Sequence, residues 1–473
     1  MNFMQTFYIR ILRPFSISEN RSVFLRNSII LICFVIIFFD VIIGYINPLL
    51  IEDNSSTINA ILMTINGIGD RGRAIVGLVS LIIIILASTG NNLSKIKWKW
   101  YILVLWYLIG ILVVITGAFH DIGSGLLITE FTITLLFPVL YFVWQNRNDI
   151  ETLFDLMTIA VLLVTIVFGI ISVITIPFVN QEAIPSRYEA LTRNPNILGF
   201  CTVTSIIASL YLVYRQKRIW TFISSIVLGM SVAFLVLSLA RSATLAVIIS
   251  STAWLILYIR NKKSTRLLIT VVLIAAIAFF SFYFITTRGT DPAGITSQVT
   301  NSVVYATDDS NQKQTTTDFF ERLKNFTNLD QYSSGRLDIW KLYFEGLNYS
   351  GNDVSYSLPI RVVSYNGYDT RYYYYAHNTA LEFAYRSGIP SGILYVILCV
   401  IVLFYGIKKV FNFKYHLKDH ECLTVMIIFS FLVIGLVESL EFTFSRDVAV
   451  LFYFALVPLF KVNHDKVDVG DQL

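Results

Sequence analysis

Four arginines and one histidine are the side chains of this protein best suited to handling a phosphorylated substrate. Arg187 and Arg193 lie in Ser186-Arg187-Tyr188-Glu189-Ala190-Leu191-Thr192-Arg193-Asn194-Pro195-Asn196, and Arg241 in Ser238-Leu239-Ala240-Arg241-Ser242. Arg336 lies in Ser333-Ser334-Gly335-Arg336-Leu337-Asp338-Ile339-Trp340. A planar guanidinium fork bonds two phosphate oxygens at once. His377, followed by Asn378, adds an imidazole, the side-chain type that titrates near neutrality and can take a proton from a hydroxyl. Together these residues would suit transfer from a diphosphate-activated donor to a hydroxyl acceptor.

Each motif also has a plainer reading. Asn194 is a good helix cap and Pro195 is favoured at the first helical position. Capping leaves Arg187 and Arg193 unexplained; beside a helix N-terminus they would form a positive collar suited to phosphate. Arg241 is the only charged residue between Ile219 and Ile259. It is either a snorkelling arginine at a membrane surface or a functional group packed between helices. Arg336 and Trp340, four residues apart, would share one face of a helix. Glu438 and Glu441 are positioned to orient His377 or to pair with Arg446.

These motifs surround a polar insert, residues 288–388, and a connection of that length is uncommon unless it works or is disordered. It shows helical patterning over Asp318–Asn325 and Arg336–Leu347, and it carries eleven tyrosines between Tyr305 and Tyr375. Tyrosine pairs an apolar face with a hydrogen-bonding tip, as a sugar surface requires. Tyr372, Tyr373, Trp340 and Asn378 are the sugar-binding candidates, and an aromatic belt at the bilayer surface is the alternative for the Tyr372–Tyr375 run.

The elements that must position these groups are membrane helices. The 473 residues are 55% hydrophobic and 14% charged, with mean hydropathy +0.67, against about 45–50% and about 25% in soluble domains. The apolar residues fall in blocks of about 20, enough to cross a ~30 Å hydrocarbon core. That excludes a cytosolic enzyme, a secreted repeat protein and a disordered chain. The net charge of +5 includes no nucleic-acid footprint. Cys33, Cys201, Cys399 and Cys422 sit in or beside apolar runs and read as packing residues.

The pattern predicts an all-α, polytopic protein with twelve spans, near 28–46, 74–93, 100–119, 122–144, 156–179, 195–214, 219–239, 242–259, 267–287, 389–407, 423–440 and 447–460. The organisation is then 1–287 with nine spans, the insert 288–388 between spans nine and ten, and 389–473 with three spans and a tail. Lysines and arginines concentrate in alternate connections: Lys95, Lys97 and Lys99; Arg215, Lys217 and Arg218; Arg260, Lys262, Lys263 and Arg266; Lys408, Lys409, Lys414 and Lys418. By the positive-inside rule both termini are cytoplasmic and the insert is outside.

Taken together the motifs resemble the bacterial O-antigen ligase superfamily, which includes the Wzy-type polymerases of O-antigen and capsular polysaccharide. The shared pattern is an arginine seven residues before Asn-Pro-Asn (Arg187, Asn194), a Ser-x-Ser-Arg-like turn ending in Arg241, and Gly335-Arg336 with Trp340. It closes with His377-Asn378 followed by Gly388-Ile389-Pro390-Ser391-Gly392. It departs from that pattern at Ala240, in place of the second serine, and at Ala190, where many relatives have glycine. Ser350-Gly351-Asn352 replaces a Gly-x-Gly.

The resemblance implies a GT-C-like membrane glycosyltransferase in the bacterial cell membrane, with its site facing outward. It implies a donor oligosaccharide on undecaprenyl diphosphate, a sugar hydroxyl as acceptor, inversion at the anomeric carbon, and no metal or other cofactor. Arg187, Arg241 and Arg336 would hold the diphosphate, with Arg193 a further candidate, and His377 would be the base. A flippase and a chain-length regulator of the same pathway are the expected partners. Polymerase is favoured over ligase because the insert is long enough to hold a growing chain. A transporter is the rival from another class, resting on Asp40 and Glu130 within spans one and four; pairing of those acids with an arginine is the plainer account.

Overall fold

In a bilayer every backbone polar group must be satisfied within the protein, so apolar segments cross as helices or closed barrels. This chain takes the helical solution. The computed structural model describes residues 23–43, 69–89, 100–120, 124–145, 149–175, 188–192, 194–287, 336–352, 358–364, 367–373, 376–412, 417–440 and 447–456. The first helices are α1 (Val23–Ile43), α2 (Gly69–Ala87), α3 (Trp100–Phe119), α4 (Ser124–Gln145) and α5 (Ile150–Thr175). A 3-10 turn (Ala190–Thr192) precedes α6 (Pro195–Arg215), α7 (Arg218–Ser238), α8 (Arg241–Arg260) and α9 (Thr265–Thr287). Then come α10 (Arg336–Glu345), β1 (Leu358–Ser364), β2 (Gly367–Tyr373), α11 (Thr379–Ser387), α12 (Ile389–Phe411), α13 (Asp419–Gly435) and α14 (Asp447–Ala455).

Among the described residues, eight helices are long and apolar enough to cross a membrane: α1, α3, α5, α6, α7, α8, α9 and α12. The protein is therefore a multi-pass membrane protein. Helices α2, α4, α13 and α14 stand at the other four positions where the hydropathy pattern predicts spans. The helical patterning over Asp318–Asn325 lies outside the described residues, as do Arg187, Arg193, Glu441 and Arg446. Among the described residues the strands form one antiparallel hairpin, in which Leu358 pairs with Tyr373 and Ser364 with Gly367.

Two boundaries differ from the hydropathy reading for the same reason. Helix α5 starts at Ile150 rather than near 156, and α13 at Asp419 rather than 423, because their first two turns carry acids that pair with Arg215. Helix α13 also stops at Gly435 rather than 440, so Glu438 lies in a turn beyond the helix.

Helix α6 is the axis of the bundle, packing against α5, α7, α8, α13 and α14. Small and hydroxyl residues allow this: a Cβ on Gly199 would collide with Ala240 and Ala243, and the Ser205 and Ser231 hydroxyls bond at 2.8 Å. Such small-residue contacts let membrane helices approach closely. Helices α8 and α13 run antiparallel, with a hydrogen bond between the Ser250 and Ser430 hydroxyls. With Lys263 paired to Asp419 at their other end, Arg241 opens α8 at the end of the bundle where α13 finishes. Asp40, an acid within the first helix, pairs with Arg73 at 2.7 Å.

Candidate functional site

The described part of the site is built on the short helix α11 and the turn that follows α13. Asn378 caps α11, its Oδ1 accepting from the Leu381 N–H at 3.0 Å, and its Nδ2 donates to the Leu436 carbonyl at 3.0 Å. Thr379 Oγ1 donates to the Glu438 carbonyl at 2.8 Å and accepts from the Leu440 N–H at 2.8 Å. Successive residues of one helix start thus grip the turn that carries Glu438.

Glu438 is the centre of the arrangement. Its Oε2 lies 2.9 Å from His377 Nδ1, and its Oε1 accepts from Arg336 Nη2 at 2.6 Å. The carboxylate side chain is largely buried, while the His377 side chain keeps 32% of its surface exposed. An ionised carboxylate only accepts, so the bonded Nδ1 carries the proton; in the neutral ring Nε2 then holds the lone pair. His377 sits at φ +50, in the left-handed region rarely used by residues with a Cβ. The structure therefore brings together His377, Arg336 and Glu438, residues separated by 102 and 61 positions.

Arg336 opens α10, and Trp340 lies one turn along it. Trp340 packs on the small apolar cluster of Ile339, Tyr343, Ala376, Leu381 and Tyr385. Its indole N–H is shielded and has no acceptor among the described residues. Burial, and secondarily the Glu382 carboxylate, raises the Tyr385 phenol above its ordinary range, so it stays protonated.

Helix α10 is anchored through the turn after it. Asn352 Nδ2 donates to the Gly346 carbonyl at 2.9 Å and the Tyr385 carbonyl at 3.0 Å, and the Ile389 N–H bonds the Asn348 carbonyl at 2.9 Å. Gly351 (φ +81) and Gly388 (φ +84) sit face to face, where a Cβ on either would meet the other's backbone neighbours. Ser350-Gly351-Asn352 is thus a clasp that fixes Arg336 relative to α11.

Arg241 takes the first position of α8. Ala240 before it provides no side-chain cap, and the adjoining start of α6 is capped by Asn194, which accepts from Asn196 and Ile197. The starts of α6 and α8 lie side by side, with Gly199 against Ala240 and Ala243 and Arg241 in the first turn of α8, and helix dipoles at such starts favour an anion. The 3-10 turn leading to α6 is tied to α7 by the Tyr188 N–H bonding the Leu237 carbonyl at 2.9 Å. Ala190 in that turn has φ +50, the conformation for which glycine is suited. Tyr372 and Tyr373 are successive residues of β2, paired with Pro359 and Leu358.

Residues that sequence reasoning does not single out are Glu382 and Ser439. Thr379-Ala380-Leu381-Glu382 has the spacing of a capping box, which would direct Glu382 at its own helix end. In the structure Glu382 Oε2 reaches the Ala376 N–H at 2.6 Å and Ser439 Oγ at 3.2 Å.

Residues 226–396 match the family described as O-antigen ligase. The matched region runs from α7 into α12 and contains Arg241, Arg336, Trp340, His377 and Asn378, but not Glu438. A search of curated proteins finds no match to the chain. The matched family implies membrane glycosyltransferase activity in polysaccharide biosynthesis, with lipid-linked glycans as substrates.

Proposed function

We propose, on the premise that residues 226–396 belong to the O-antigen ligase family, that this protein is a polysaccharide polymerase of the bacterial cell membrane. It joins oligosaccharide repeat units carried on undecaprenyl diphosphate. The chain crosses the membrane twelve times in a GT-C-like fold, with both termini in the cytoplasm and the His377 end of the bundle facing out. The observation that carries the reading is the Glu438 carboxylate held between Arg336 and His377.

In the proposed reaction the acceptor sugar hydroxyl approaches His377 Nε2. Its oxygen attacks the anomeric carbon of the donor from the face opposite the diphosphate, giving inversion. The new carbon–oxygen bond forms as the bond to the diphosphate oxygen breaks, and that electron pair leaves on the lipid diphosphate. The hydroxyl proton goes to Nε2, and the imidazolium is stabilised by Glu438 through Nδ1–H. A positioned base of this kind is worth about 10²–10⁴-fold. Arg241 at the start of α8 and Arg187 receive the diphosphate, and Arg336 joins them through N–H groups other than the one on Glu438. Donors arranged around developing charge are each worth roughly 2.7–4 kcal/mol of barrier. Trp340 and the hairpin tyrosines border the acceptor.

Elongation of a synthetic lipid-linked repeat unit by the purified protein tests the proposal. Loss of product in His377→Ala and Arg336→Ala, with full activity in excess chelator, is expected. Wild-type turnover in either variant, or a requirement for Mg²⁺, refutes the corresponding assignment. The family description itself favours a second reading, a ligase that moves finished glycan to another acceptor. Gene deletion separates the two: a polymerase mutant leaves single units attached, and a ligase mutant leaves long unattached polymer.

A further inference from the structure

We propose that Glu382 is a positioning residue for this transfer, holding the two backbone segments that present His377 and Glu438; the inference rests on the reading just given. Glu382 is 4% exposed. One of its oxygens, Oε2, accepts from the N–H of Ala376 and from the hydroxyl of Ser439. Ala376 immediately precedes His377, and Ser439 immediately follows Glu438. A single atom therefore ties together the entry to the histidine turn and the exit from the glutamate turn. The other oxygen pairs with Arg386 Nε one helical turn along α11, which compensates the buried charge.

This location matters because neither segment is held by regular secondary structure. His377 is in the left-handed region at φ +50, outside the helix that begins at Thr379. Glu438 follows the end of α13. Asn378 and Thr379 secure the Glu438 turn through the Leu436 and Glu438 carbonyls and the Leu440 N–H. Glu382 secures the histidine side as well. Without it the Ala376 N–H would be buried without an acceptor, and the left-handed turn at His377 would relax toward more populated backbone conformations. The His377 Nδ1 to Glu438 contact is the geometry lost, while the arginines that receive the donor diphosphate stay in place.

The test is a comparison of full-length Glu382→Ala, Glu382→Gln, Ser439→Ala and His377→Ala, purified in parallel and assayed by elongation. Detergent thermal stability, kcat, KM for the lipid-linked donor and the pH–rate profile are measured for each. Displacing a reacting group by about 1 Å can cost on the order of 10²-fold, so Glu382→Ala should lower kcat by about that factor, leave donor KM within about three-fold and change the acid limb of the pH profile. Glu382→Gln keeps an acceptor for the Ala376 N–H and should recover most of the loss. Ser439→Ala removes one hydrogen bond of modest net worth and should lower kcat by roughly three-fold, a readout that survives even if Glu382→Ala does not fold.

Wild-type kcat in Glu382→Ala and Ser439→Ala beside an inactive His377→Ala overturns the positioning role alone. Equal loss in Glu382→Ala and Glu382→Gln with matching loss of thermal stability also overturns it, in favour of a packing role. Full turnover by His377→Ala removes the functional reading beneath it.

Discussion

The two ends of the bundle each hold a cluster of charged residues, and the clusters are built in opposite ways. At one end Arg215 is the centre: it bonds Glu151 Oε2 at 2.6 Å, Asp419 Oδ2 at 2.8 Å and both oxygens of Asp155 at 3.0 and 3.2 Å. Lys217 and Lys263 complete the carboxylates, at 2.6 Å from Asp155 and 3.1 Å from Asp419. At the other end a carboxylate is the centre, and Glu438 receives Arg336 and His377. A guanidinium surrounded by acids has its donors used within the protein, and the cluster joins α5, α6 and α13. A carboxylate between an arginine and a half-buried imidazole fixes both side chains while leaving the ring's second nitrogen to act. Clustered charge therefore identifies a rivet in one place and a candidate site in the other, and the identity of the central group tells them apart.

The largest effect expected from this contrast is on catalysis at the Glu438 end. His377→Ala should lower kcat for elongation by about 10²–10⁴-fold, with thermal stability in detergent close to that of the parent. If stability falls and kcat of the folded fraction does not, the Glu438 cluster is a second rivet and the contrast fails.

Arg215→Ala should do the reverse. Asp155 has only 3% of its side chain exposed, and removing one partner of a buried pair typically costs about 3–5 kcal/mol. Lys217 remains to offset part of this. The expected result is a lower melting temperature and yield, with kcat and KM of the surviving folded protein near the parent values. A folded, fully stable Arg215→Ala enzyme with lost turnover would move function to the opposite end.

Glu438→Gln sharpens the comparison further, because it keeps the shape of the central group and removes its charge. An amide oxygen can still accept from Nδ1–H, so His377 keeps its orientation, but the imidazolium formed during transfer loses its counter-charge. A charge-assisted bond is roughly twice as strong as a neutral one, so kcat should fall by on the order of ten-fold with little change in donor KM. An unchanged kcat would reduce Glu438 to an orienting group.

The legibility of the two clusters differs as much as their chemistry. The helices announce themselves through apolar runs of bilayer length, and each predicted span coincides with a helix even where charged residues lengthen or shorten it. His377, Arg336 and Arg241 are recognisable because their short motifs occur in a specific order. Glu438 belongs to no such motif: it lies outside the region matched to the O-antigen ligases, in a turn that hydropathy merges with its helix. The sequence leaves it between orienting His377 and pairing with Arg446, and the fold brings residue 438 against 336 and 377. The clasp of Gly351 and Gly388 and the β1–β2 hairpin were hidden, since pairing between distant or aromatic-rich segments has no periodic signature. The Arg215 cluster was visible only as basic residues at span ends, a pattern that indicates sidedness but not acidic partners.

The smallest effect expected concerns Ala190, which lies at the Glu438 end in the turn before α6. Its φ of +50 places a Cβ in a conformation costing roughly 1–2 kcal/mol. Ala190→Gly removes that cost but gains freedom in the unfolded chain, worth about 0.4–1 kcal/mol in the opposite direction, and it empties the volume of a methyl group that is 1% exposed. The opposing contributions nearly cancel, so stability should change by less than about 1 kcal/mol, and kcat by less than about three-fold. Thermal unfolding and elongation assays on Ala190→Gly measure both. A large loss of turnover at unchanged stability would mean that the methyl group itself sets the path of the chain toward Asn194 and Arg241. The end of the bundle assigned to catalysis would then depend on packing as closely as the end assigned to structure.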